Sequence, residues 1–218
     1  MGKLIRAVLV IAVIFIGVMG YLQWRAYEKK AELRKDAILY FKEEDYTKSI
    51  KYLEEAISIK TVFGAALDQD MMCYLAESYY KMEEYEKAEA LYHKLQRKDS
   101  DNALYYLLEG QSCASSGNYE KAMEIFQKGW EKTKDTSFIS EICEIYIEQK
   151  EYDKALDYAR KVIGKGSTAS AELMYDMIII YEKSQDYEAA YKAAKEYCKK
   201  YPEDEKGKRE LNFLASRI

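Results

Sequence analysis

The sequence predicts an all-α fold, an array of about five stacked helix-turn-helix hairpins preceded by one transmembrane helix, and three observations carry that expectation. The phrase GNYEKAMEIF, Gly117 to Phe126, returns in close variants as EDYTKSIKYL from Glu44, EEYEKAEALY from Glu83, KEYDKALDYA from Lys150 and QDYEAAYKAA from Gln185. Its tyrosine therefore falls at Tyr46, Tyr85, Tyr119, Tyr152 and Tyr187. A self-similar period of this length marks units that cannot bury an apolar face alone and must stack on their neighbours. Composition agrees: one proline and ten glycines in 218 residues, 49% of them hydrophobic, favour long helices with short connections over a sandwich or barrel. The third observation is the long apolar run that opens the chain.

That run, LIRAVLVIAVIFIGVMGYLQW, begins at Leu4 and carries neither charge nor amide from Ala7 to Leu22. As a helix, residues 4–24 are about 31 Å long, the thickness of a bilayer's hydrocarbon core. Arg6 would snorkel to one face, and Tyr21 and Trp24 sit where an interfacial aromatic belt is expected. The competing reading is a cleaved signal peptide with Val18 and Gly20 before the cut, but the run is longer than a typical signal core. No cysteine precedes Cys73, so there is no lipoprotein acceptor. Residues 1–29 are read as a signal-anchor of a single-pass plasma-membrane protein.

Orientation is argued from charge. Lys3 and Arg6 precede the span, whereas Arg25, Lys29, Lys30, Arg34 and Lys35 follow it, and a literal count places the repeats in the cytoplasm. The short basic N-terminus is, however, what a signal-anchor keeps inside, and the following cations are interleaved with Glu28, Glu32 and Asp36. The expectation is an extracytoplasmic repeat domain.

Counting from each tyrosine exposes a second layer of pattern. Nine residues earlier stand Ala37, Ala76, Gly110, Cys143 and Ile178; six earlier stand Tyr40, Tyr79, Cys113, Tyr146 and Tyr181. Three residues after it come Ser49, Ala88, Ala122, Ala155 and Ala190, and seven after it Leu53, Tyr92, Phe126, Ala159 and Ala194. Spacings of three and four within each half describe two helices, and EED, MEE, SGN, QKE and SQD supply the turn between them. The small positions mark where the two backbones approach most closely.

Small residue, aromatic, turn, Tyr, Ala and aromatic at these offsets resemble the tetratricopeptide repeat. The resemblance runs over residues 30–203 in units of about 30–63, 69–102, 103–136, 137–169 and 171–203, and it implies a right-handed superhelical solenoid. Ser49 replaces the usual alanine, Cys143 and Ile178 replace the usual small residue, and only the last unit keeps the closing proline, Pro202. Residues 204–218, with Leu211, Phe213, Leu214 and Ile218, are read as a capping helix over the last repeat. Between Gly20 and Gly64 no glycine or proline intervenes, so the membrane helix is expected to run straight into the first repeat.

Chemistry is hard to find. The single histidine, His93, is read as a solvated residue on a second helix, and with no second histidine there is no His-based metal site. Carboxylate pairs such as Glu43 and Glu44 fall in turns, no phosphate loop or nucleophile elbow appears, and neither catalytic residue, metal nor cofactor is expected. Cys73, Cys113, Cys143 and Cys198 lack zinc or redox spacing and read as small core residues, with a Cys113 to Cys143 disulfide open to an exported domain. Residues 1–30 hold five Lys/Arg and one Glu, so the remaining 29 basic and 37 acidic residues leave the folded part at -8. An acidic domain weighs against nucleic acid and favours a basic protein surface.

In the resembled family the first helices line a groove for a peptide or helix. Carried onto this chain, the groove positions are Arg34, Ile38 and Phe41; Asp70, Cys73, Glu77 and Tyr80; Leu107, Gln111 and Ala114; Ser140, Glu144 and Ile147; Glu172, Tyr175, Ile179 and Glu182. The Lys, Asn and Arg clamp that grips chaperone tails is missing, with Ile38, Tyr74, Leu104 and Leu108 at its places. The function expected is a membrane-anchored protein-interaction scaffold, not an enzyme. The alternative is a structural component of a cell-envelope complex that associates with itself through its tyrosine-rich faces.

Overall fold

The computed structural model describes residues 2–163 and 170–218; the expected end of the fourth repeat, 164–169, lies outside the described residues. The described residues form α-helices and no strand. The first helix, α1 (Gly2–Lys42), is unbroken, which at about 1.5 Å per residue makes it about 60 Å long. Its two halves differ in kind. From Val8 to Trp24 the large apolar side chains face outward, whereas Lys30, Leu33 and Ala37 are buried against the hairpin that follows. By length and composition α1 is apolar enough to cross a membrane.

Contacts divide the chain into two compact units, one up to Lys98 and one from Asp99 to Ile218. In the first, α1 pairs with α2 (Tyr46–Ser58), and α3 (Ala65–Lys81) with α4 (Tyr85–Lys98). In the second, α5 (Ala103–Ser115) pairs with α6 (Tyr119–Thr133), α7 (Ser137–Glu148) with α8 (Tyr152–Ile163), and α9 (Ala171–Lys183) with α10 (Tyr187–Lys200). A last helix, α11 (Glu205–Ala215), packs on α10.

Each hairpin turns in the same way. The residue two before each repeat tyrosine adopts a left-handed conformation: Glu44, Glu83 and Lys150 at φ 60°, Gln185 at 65° and Gly117 at 82°. The next residue's N–H then returns to the carbonyl five residues back, from Asp45 to Tyr40, Glu84 to Tyr79, Asn118 to Cys113, Glu151 to Tyr146 and Asp186 to Tyr181, at 2.8 or 2.9 Å. This satisfies carbonyls that the end of a helix leaves open. Asp45, Asn118 and Asp186 then cap the second helix by accepting from Lys48, Lys121 and Ala189 N–H groups. In three repeats a lysine ties turn to hairpin: Lys48, Lys87 and Lys154 pair with Asp45, Glu84 and Glu151 and lie over the rings of Tyr40, Tyr79 and Tyr146.

The small positions sit at the helix crossings. Ala37, Ala76, Gly110, Cys143 and Ile178, and Ser49, Ala88, Ala122, Ala155 and Ala190 opposite them, are all buried. Gly110 admits the Phe126 ring, which lies where its Cβ would be. Two departures from the repeat pattern have local reasons. Ser49 accepts a hydrogen bond from Ser78 across the core at 3.3 Å, and the Cys143 thiol donates to the Ala155 carbonyl at 3.5 Å. The core of the second unit continues through Phe126 and Phe138, then Ile139, Leu156 and Leu173, to Tyr175, Tyr197 and Leu214.

The last helix differs from expectation in detail. Spacing puts Gly207, Leu211 and Leu214 on the covered face, whereas Phe213 and Ile218 stay exposed, Phe213 beneath the Arg217 guanidinium.

Candidate protein-interaction surface

In each unit the first helices of successive hairpins lie side by side. In the first unit α1 and α3 meet where Arg34 Nε donates to Asp70 Oδ2 at 2.6 Å, so these two expected groove residues neutralise each other. Beside them Phe41 packs edge-on against Tyr74 at 5.3 Å between ring centroids. Cys73 and Tyr80 are half-buried, Tyr80 edge-on to Tyr85, and Glu77 is exposed.

In the second unit α5, α7 and α9 present an acidic face with an apolar end. Gln111 Nε2 donates to Glu141 Oε1 at 2.7 Å, joining α5 to α7. Around them stand Glu144 on α7 and Glu172 and Asp176 on α9. Burial, followed by the neighbouring carboxylates Glu144, Glu172 and Asp176, pushes Glu141 above its ordinary range even though Gln111 opposes the shift. Burial and the charges of Glu172 and Glu144 likewise push Asp176 up, against the Ser140 hydroxyl and Lys206 from α11. Leu104 is exposed and Leu108 half-exposed at the α5 end of the same face.

The face follows residues fifteen, eleven and eight before each repeat tyrosine. Leu104, Leu108 and Gln111, then Ser137, Glu141 and Glu144, then Glu172, Asp176 and Ile179 share this register. Glu141 and Asp176 were missed in the sequence, although a spacing of four and three was the signal that could have found them. The expected positions twelve before the tyrosine are more covered in this unit. Leu107 packs on the cluster of Phe126 and Ile142, Ser140 is half-buried, and Tyr175 is buried beneath α11. The Tyr175 hydroxyl donates to Glu210 at 3.1 Å and Lys206 sits 3.7 Å over its ring, so a partner cannot reach it in this arrangement. Ile147 and Ile179 are half-buried against neighbouring clusters.

Models of the tetratricopeptide repeat match residues 37–62, 75–130 and 172–204. The chain is a tetratricopeptide-repeat protein. A solved tetratricopeptide-repeat protein from Parabacteroides merdae is 14% identical, with a TM-score of 0.62 over 87% of this chain and 74% of its own. A thermophilic tetratricopeptide-repeat protein from Thermus thermophilus is 12% identical, with a TM-score of 0.55 over 85% and 98%. MamA protein is 15% identical, with a TM-score of 0.58 over 79% and 92%. The likeness to these three is one of fold, and no curated protein matches the chain.

The cysteines of this tetratricopeptide-repeat protein serve its packing. All four carry thiols, Cys113 within the cluster of Phe126 and Cys143 within that of Leu156 and Leu173, so the Cys113 to Cys143 bond open to an exported domain is not formed. Burial pushes the Cys143 thiol up to about 12, which leaves it an inert core group. His93 is exposed on α4.

Proposed function

We propose that this tetratricopeptide-repeat protein is a membrane-anchored scaffold that holds a partner segment bearing basic and apolar side chains on the inner face of its second unit. The observation that carries the reading is the group Glu141, Glu144, Glu172 and Asp176, which repel one another beside Leu104 and Leu108. A lysine or arginine entering this face would relieve that repulsion, and an apolar neighbour would cover the leucines. A preformed face of this kind orders a flexible partner at little cost to itself, and anchorage through residues 4–24 adds effective concentration at the membrane. The exposed apolar half of α1 supports the anchor, and the short basic N-terminus supports an extracytoplasmic repeat domain of a single-pass plasma-membrane protein.

An array of peptides that interleave Lys or Arg with Leu or Phe, tested against the full chain in nanodiscs, checks this reading. Wild type is expected to retain a subset that Glu141→Gln with Asp176→Asn releases, while acidic counterparts do not bind. Equal retention by both proteins would move the site off this face.

A further inference from the structure

The loop between α2 and α3 ends the first hairpin at the side from which the apolar half of α1 emerges. It reads KTVFG, Lys60 to Gly64, and it holds two large apolar side chains outward, Val62 at 78% and Phe63 at 65% exposure. The loop is not loose. The Val62 N–H donates to Gln23 Oε1 at 2.9 Å, and the Tyr27 ring packs against Gly64, whose Cβ, were there one, would lie 3.2 Å from it. The buried Lys30 ammonium donates to the Ile59 carbonyl at 3.0 Å and pairs with Asp68 in the first turn of α3. Gly64, at φ 106°, lets the chain turn from this loop into α3.

These ties set the height of the loop along α1. Val62 N–H lies level with Gln23, next to Trp24, where the outward-facing apolar stretch ends. Tyr21 stands two residues before Gln23 and Trp24 one residue after it, their ring centroids 6.3 Å apart, and they mark the interfacial depth on α1. An apolar group placed in this zone enters the headgroup and upper acyl boundary, which is about 5–10 Å deep. Two cations border this zone, Lys60, exposed at the base of the loop, and Arg25 on α1, which pairs with Glu28 at 3.6 Å.

We infer that Val62 and Phe63 form a second membrane contact, a wedge that enters the interface beside α1 and holds the first hairpin against the bilayer. The inference rests on the reading of α1 as a membrane span. A bilayer is the occupant because the bare loop is level with, and tied to, a helix whose own exposed apolar surface requires lipid at that height. A single span lets its domain tilt, whereas a second contact beside it fixes the tilt of the first unit.

The test uses the full chain in vesicles of phosphatidylcholine and phosphatidylglycerol, with phosphatidylcholine brominated near the top of its acyl chains as quencher. Trp24→Phe identifies the emission of Trp24, and Phe63→Trp adds a reporter at the tip of the loop, an exposed site where the change leaves the core intact. Both Trp24 and the reporter are expected to emit to the blue and to be quenched, the reporter at least half as strongly as Trp24. Quenching of Trp24 with a reporter that emits as in water overturns the wedge while the span stands. A reporter shielded from water yet untouched by bromine overturns it in favour of a protein or a second copy over the loop. If Trp24 itself escapes quenching, the span reading fails and takes the wedge with it.

Discussion

Five turns of this chain use the same left-handed residue, and only Gly117 meets it without a side chain. A Cβ in that conformation costs about 1 kcal/mol relative to glycine, so Lys150→Gly or Glu83→Gly is expected to raise stability and Gly117→Ala to lower it, each by about 1 kcal/mol, in urea unfolding monitored by circular dichroism. Lys30 is the other residue with a role far from its appearance. In sequence it is one of the cations flanking a membrane helix; in the fold its side chain is 1% exposed and holds both Asp68 and the Ile59 carbonyl. Lys30→Ala leaves a carboxylate and a carbonyl unpaired, and a loss on the order of 3 kcal/mol is expected from the same measurement. A loss well below 1 kcal/mol would mean that water replaces the ammonium.

Helices here are held by small residues facing rings. Gly110 faces Phe126, Gly129 faces Phe138 and Gly207 faces Tyr197, each with the ring where a Cβ would stand. Gly110→Ala is therefore expected to overpack the α5–α6 crossing and to cost about 1–3 kcal/mol, read as a lowered melting temperature. The α9–α11 contact carries a pH dependence. Burial, then the hydrogen bond and charge of Glu210, push Glu182 up to about 7, against Lys183 and Arg217. A raised carboxyl pKa in the folded state adds stability that is complete below the ordinary carboxylate range and is lost as pH rises through about 7. Thermal melts between about pH 5 and about pH 8 should show the wild type losing more stability than Glu182→Gln. Parallel losses would detach the effect from this carboxyl.

At the scale of the whole molecule, the unbroken α1 joins an outward-facing apolar stretch to the first repeat without a linker. Under the proposed anchor, the full chain should stay with membranes through alkaline carbonate extraction, and removal of residues 2–24 should release a protein with a helical spectrum. Protease added to intact cells should cut the repeats if they face outward. Survival of the repeats until lysis would reverse the proposed topology.

Fold class was legible because the repeat is written locally. A small residue, an aromatic, a turn, a tyrosine and an alanine stand at fixed offsets, and each offset is a statement about one helix or one turn. The apolar opening was equally local. What tertiary structure decided lies between residues far apart in the chain. Whether Tyr175 meets a partner depends on Glu210, 35 residues away; whether Arg34 is available depends on Asp70, 36 away; and the height of Phe63 depends on the Gln23 to Val62 bond, which spans 39. Helical periodicity names the residues that share a stripe. Only the packing of the neighbouring helices decides which edge of that stripe is covered, and so which carboxylates remain on the inner face.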